Sequence, residues 1–94
     1  QKLGELAIDS LRMTVQWKGQ PVTLTPTEFE ILKSLVENPD GASIEDLVRA
    51  TRQGLVEDNT INTHILHIRN KFKQVDSAFK CIKTRYGFGY SWVC

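Results

Sequence analysis

A chain of 94 residues, 40% hydrophobic and 24% charged, has the size and balance of one small folded domain, not of a disordered segment. No apolar run approaches the roughly 20 residues of a membrane span, and no secretory signal opens the chain, so a cytoplasmic setting is expected. The net charge of +1 hides an asymmetry: residues 1–58 carry six cations against ten carboxylates (−4), and residues 59–94 carry six against one (+5).

The first elements are short strands. Leu6 and Ile8 alternate with polar neighbours, as do Met13, Val15 and Trp17. "KGQP" (residues 18–21) reads as a turn, after which Val22 and Leu24 resume the alternation. The pattern predicts an antiparallel meander with one buried face. "TPTE" then opens a helix: Thr25 caps it, Pro26 suits the first helical position and Glu28 closes a capping box. Phe29, Leu32, Leu35 and Val36 form its apolar stripe with Ile31 on the flank, and "NPDG" (residues 38–41) ends it. "SIED" (residues 43–46) repeats the cap logic for a short second helix reaching Arg49 or Ala50.

A third helix is predicted over residues 59–74, capped by Asp58 or Asn59. Ile61, Ile65, Ile68 and Phe72 share one face and predict its anchor to the core. The other face, with Asn59, Thr63, Leu66, His67 and Asn70, is polar and nearly uncharged. "CIKTRYGFGYSWVC" (residues 81–94) alternates on both sides of Gly87-Phe88-Gly89 and predicts a β-hairpin. Cys81 and Cys94 are the only cysteines. Without a secretory signal free thiols are the expectation, although the hairpin would put the two on neighbouring strands. Their spacing suits no zinc site, and no metal or cofactor is expected.

Strands, three helices and a basic hairpin form an α+β winged helix-turn-helix: an N-terminal antiparallel sheet, three helices and a C-terminal β-hairpin wing. In order and spacing, "LTPTEFEILKSL" (residues 24–35), "VEDNTINTHILHIRNKF" (residues 56–72) and "IKTRYGFGYSW" (residues 82–92) resemble the C-terminal effector domain of OmpR/PhoB-type response regulators. The resemblance covers nearly all of residues 1–94. It implies sequence-specific binding of double-stranded DNA in transcription regulation, with the third helix in the major groove and the wing (residues 81–94) at the minor groove. It also implies pairing on tandem DNA repeats and an upstream receiver domain phosphorylated on Asp. No receiver is present and the chain starts at Gln1, so a fragment of a longer regulator is expected.

Family positions that face bases fall on Asn62, Thr63 and His67, and those that contact phosphate fall on Asn59, Thr60, His64, Leu66, Arg69 and Thr84. The family's minor-groove arginine falls on Tyr86, with Arg85 one place earlier. The chain departs from the family where arginine is common at Asn59 and His67, and aspartate at Asn62. Its loop over residues 51–55, where some relatives meet RNA polymerase, is shorter and lacks their tryptophan, which argues against polymerase contact there.

Each residue type has chemistry suited to its expected role and a plainer alternative. Asn62 suits bidentate pairing with adenine N6 and N7, or is a surface amide. Thr63 offers a methyl to thymine and a hydroxyl to phosphate, or faces solvent. His67 donates to guanine or phosphate, and His64 either grips phosphate or is half-buried structure. Arg69 suits a phosphate or a salt bridge to an acidic helix, whereas Lys71 and Lys73 add diffuse attraction. Arg85 suits the minor groove or a phosphate. Tyr86 either touches the sugar-phosphate backbone or packs inward, while Tyr90 and Trp92 read as core. Leu66 packs on a thymine methyl or a partner subunit, or is simply an exposed leucine.

No nucleophile elbow, phosphate-binding glycine loop or zinc-protease motif occurs, so no enzymatic activity is expected. Two alternatives remain open: a winged helix used for protein–protein contact, and the DNA-binding domain of a receiver-less, membrane-tethered regulator.

Overall fold

Four short strands run antiparallel in chain order: β1 (Lys2–Leu3), β2 (Leu6–Asp9), β3 (Thr14–Trp17) and β4 (Gln20–Val22). The structure, a computed structural model, describes residues 2–51 and 58–94, with the side chains of Asp58 and Asn59 outside that description. The predicted meander is present, with Leu6, Ile8, Val15, Trp17 and Val22 all buried on one face. Its turns are tighter than the sequence suggests. Lys18 and Gly19, at φ 53° and 79°, make a two-residue hairpin connection. Pro21 therefore sits within β4, an edge strand where its missing N–H costs nothing. Met13 is not in a strand as expected. Its φ of 54° serves the β2–β3 connection, where the Asp9 carboxylate accepts from the Leu11 and Arg12 amides, each at 3.1 Å.

Helix α1 (Pro26–Glu37) carries the expected capping box: the Glu28 amide donates to Thr25 Oγ1 at 3.2 Å and the Thr25 amide to Glu28 Oε1 at 2.9 Å. All five predicted apolar positions are buried. A two-residue strand absent from the sequence reading, β5 (Ala42–Ser43), leads into α2 (Ile44–Ala50), which Ser43 and Asp46 cap reciprocally. The third helix, α3 (Asp58–Val75), begins one residue earlier and ends one later than predicted. Both proposed cap residues thus stand inside it, and the residue before it lies outside the described range. Ile61, Ile65, Ile68 and Phe72 are fully buried.

The wing is β6 (Ile82–Arg85) and β7 (Gly89–Trp92), with β7 central between β5 and β6. Gly87 supplies the positive φ of 77° that the turn needs. Gly89 is needed for space: a Cβ there would collide with the Ala42 carbonyl and crowd Ser43 Cα at 2.9 Å. Cys81 and Cys94 form a disulfide, Cα atoms 5.2 Å apart, correcting the expectation of free thiols. The Ile82↔Trp92 register and the Val93 amide donating to the Cys81 carbonyl at 2.8 Å bring the two cysteine-bearing segments side by side.

The sheets and α3 meet at an aromatic cluster. Phe72 stacks on Phe79 at 4.4 Å, and Trp17 and Trp92 meet Phe72 edge-on at 5.9 and 6.1 Å. The Trp17 indole donates to Asp76 at 3.0 Å and Lys18 reaches the same carboxylate at 3.1 Å. These two contacts, the indole first, hold Asp76 below its ordinary carboxylate value. Lys71 crosses from α3 to the buried Glu28 of α1 at 2.5 Å. Burial pushes the Glu28 carboxyl up, but the Lys71 hydrogen bond, the Thr25 amide and the Lys71 charge together leave it lowered.

Candidate nucleic-acid interface

With its isoleucine stripe buried, α3 offers three other directions. Toward α1 it spends Lys71 on Glu28, so this lysine is a brace and not the source of diffuse attraction expected of it. His64 and Thr60, two and three turns earlier by helical spacing, are half-buried, and His64 Nδ1 is buried with no hydrogen-bond partner among the described residues. Away from the core, Thr63, Leu66, His67 and Asn70 are exposed, Leu66 to 53%. Asn59 lies in the first turn, its side chain outside the described range.

The third direction faces the wing, and here the structure adds most. Asn62 Oδ1 accepts from the Tyr90 hydroxyl at 2.5 Å. Two turns later Arg69 donates from Nη2 to the Ile82 carbonyl and to Thr84 Oγ1, both at 3.0 Å. Its guanidinium lies 5.5 Å from the centre of the Tyr90 ring, within cation–π range. Arg69 therefore ties helix to wing, a role absent from the sequence reading. Five N–H donors give it capacity beyond these contacts. Thr84 is half-buried as the acceptor of that tie. Arg85 is exposed, with Nε donating to the buried Ser91 hydroxyl at 2.9 Å. Tyr86 is 93% exposed, so the inward alternative fails: β6 ends at Arg85 and Tyr86 stands in the turn. Tyr90 and Trp92 are buried, as expected.

Two concavities run between α3 and the wing. One, of about 430 Å³, is lined by Arg69, Lys73, Lys80, Lys83, Thr84 and Tyr86 among others, with no carboxylate among the described residues of its wall. The second, of about 420 Å³, brings Asn62, Thr84, Arg85 and Tyr86 together at the wing turn. The +5 of the C-terminal part is thus concentrated. Lys71 is neutralised by α1 and Asp76 by the N-terminal sheet, which leaves Arg69, Lys73, Lys80, Lys83 and Arg85 along the cleft and wing. Basic walls of this kind raise the local concentration of a polyanion. Lys80 and Tyr90 were not singled out as site residues by sequence reasoning. Lys80 lies between the last two of the three quoted family stretches, and the Tyr90 partner is 28 residues away.

Residues 19–92 match the family described as "Transcriptional regulatory protein, C terminal". The transcriptional regulatory protein BaeR of Escherichia coli O6:H1 is 37% identical over 90 residues, 93% of this chain and 38% of BaeR. Response regulator DrrB, a Thermotoga maritima OmpR/PhoB homologue, superposes with a TM-score of 0.81 at 32% identity, covering 100% of this chain and 44% of DrrB. The DNA-binding domain of response regulator AdeR, solved in complex with an intercistronic region, superposes with a TM-score of 0.86 over 98% of this chain and 97% of its own. At 19% identity that likeness shows the winged-helix fold alone. The chain spans about two fifths of the length of the curated relatives it matches.

Proposed function

This chain belongs to the OmpR/PhoB-type family of transcriptional regulatory C-terminal domains, and from that premise we propose that it binds double-stranded DNA sequence-specifically as the non-catalytic effector domain of a response regulator. The observation that carries the reading is the joint placement of the exposed α3 face, the carboxylate-free basic cleft and the wing on one side of the fold. In this docking α3 enters the major groove. Thr63 and His67 meet base edges, with Asn62 at the wing-side edge. Thr60, Thr84, Arg69 and the α3 N-terminus fix register on phosphates, and Asn59, His64 and Leu66 lie along the same strand. Arg85 and Tyr86 reach the adjacent minor groove. A single module makes a small interface, so two copies pair on tandem repeats, with a receiver domain upstream. The loop expected to bear on polymerase contact, residues 51–55, falls largely outside the described range. The neutrality of Thr63, Leu66, His67 and Asn70 favours one other reading, a winged helix used for protein contact.

Arg85→Ala tests the proposal more cleanly than Arg69→Ala, because Arg69 also braces the fold. By fluorescence anisotropy on a labelled duplex, wild type binds with an affinity that falls steeply with salt. Arg85→Ala weakens binding several-fold and reduces the slope of log K against log salt by about 1. An unchanged slope would remove Arg85 from the interface. No binding by wild type at low salt would remove the proposal.

A further inference from the structure

We propose that Tyr90 is a positioning residue: its hydrogen bond holds the Asn62 amide oxygen and leaves the amide to read DNA chiefly as a donor, favouring guanine over adenine. The inference rests on the DNA-binding reading above.

The backbone of Tyr90 is anchored by its own sheet. It sits on β7, the central strand of its sheet, opposite Thr84 on one side and Ala42 on the other. It is 7% exposed, with its ring beneath the Arg69 guanidinium. Its hydroxyl proton goes to Asn62 Oδ1 at 2.5 Å. An amide is planar, so fixing the oxygen fixes the nitrogen. Asn62 is exposed, and its Nδ2 has no hydrogen-bond partner among the described residues. What the side chain offers an approaching duplex is chiefly its two N–H donors.

That changes the base it suits. Bidentate pairing with adenine needs the amide oxygen to accept from N6 while the nitrogen donates to N7. With Oδ1 held at Tyr90, one lone pair is left to accept from N6, so the accepting half is weakened. Guanine presents O6 and N7, both acceptors, and asks only for donors. The adenine expectation drawn from the residue type alone is therefore reversed by its neighbour. An aspartate at position 62 would keep the Tyr90 bond but offer the duplex an acceptor instead.

Selection from a randomised duplex library tests this with wild type, Asn62→Ala, Tyr90→Phe, the double variant and Asn62→Asp. Asn62→Ala identifies the position it reads, by relaxing preference there, and wild type prefers guanine at that position. Tyr90→Phe keeps the ring and frees Oδ1, raising adenine relative to guanine by about fivefold or more at that position alone. The same change in an Asn62→Ala background has no further effect, which a merely structural role for Tyr90 would not produce. Asn62→Asp leaves Tyr90 in place and moves preference to cytosine, whose N4 amine donates. This arm stands even if Tyr90→Phe fails to fold. Adenine preferred by wild type, no position relaxed by Asn62→Ala, or a guanine preference surviving in Asn62→Asp would each overturn the inference. Failure of wild type to enrich any site would instead overturn the DNA-binding reading beneath it.

Discussion

Phe72→Ala lowers the free energy of unfolding by about 3–5 kcal/mol, the cost of removing a large side chain from a closed core. Phe72 is fully buried and shares ring contacts with Trp17, Phe79 and Trp92, one from the N-terminal sheet, one from the turn after α3 and one from the wing. No single element can collapse into the space it leaves, because each is pinned elsewhere: Trp17 to Asp76, β7 to both β5 and β6. A domain of this size has about 5–14 kcal/mol in total, so the variant is close to the folding limit. Trp17 and Trp92 are the only tryptophans and both line this site, so urea denaturation followed by fluorescence reads the cluster directly. Phe72→Leu, which keeps most of the volume, costs far less. A loss below about 1 kcal/mol in Phe72→Ala would mean the cluster is not the junction of the fold.

Lys71→Ala costs about 2–3 kcal/mol at neutral pH, because it leaves the Glu28 carboxylate buried without its cation. The figure is set below the usual cost of breaking a fully buried pair because Lys71 is itself about one-third exposed, with a side chain 32% accessible. The sign of the pH dependence follows from the lowered Glu28 carboxyl. A group lowered on folding adds stability above its unfolded value and loses it as pH falls through the folded one. In wild type the Glu28 contribution is therefore complete at neutral pH and disappears in acid. In Lys71→Ala burial is no longer opposed by the cation, and the carboxyl relieves its cost by taking a proton. The gap between the two proteins closes as pH falls, which paired urea titrations at neutral and acidic pH will show. An equal gap at both would rule out the charge as the cause.

What was legible in the sequence was local. Thr25 with Glu28, and Ser43 with Asp46, are cap pairs three residues apart, and a helix start brings such residues together whatever the rest of the fold does. The stripe of Ile61, Ile65, Ile68 and Phe72 is likewise fixed by helical period. The pairs that escaped are long-range. Glu28 and Lys71 lie 43 residues apart, and Asn62 and Tyr90 lie 28 apart. Whether such groups meet depends on how three elements dock, which no periodicity encodes. β5 was missed because two residues cannot display an alternation, and its evident requirement, a Cβ-free Gly89 opposite, passed for turn chemistry. The site was half legible. Its residues came from a family pattern, but the pattern does not say that Arg69 and Asn62 are already engaged by the wing. Two of the expected DNA contacts therefore also position other groups.

In the proposed docking, the face formed by α3 and the wing meets duplex DNA. Titrating the isotopically labelled protein with a random-sequence duplex at low salt, and following every backbone amide by NMR, tests it most directly. Shifts are expected through α3 from Thr60 to Lys73 and in the wing around Thr84, Arg85 and Tyr86, with α1 little changed and the shifts receding as salt rises. Perturbations confined to residues 25–35 of α1, with residues 59–73 silent, would contradict it and turn the winged helix into a protein-binding module.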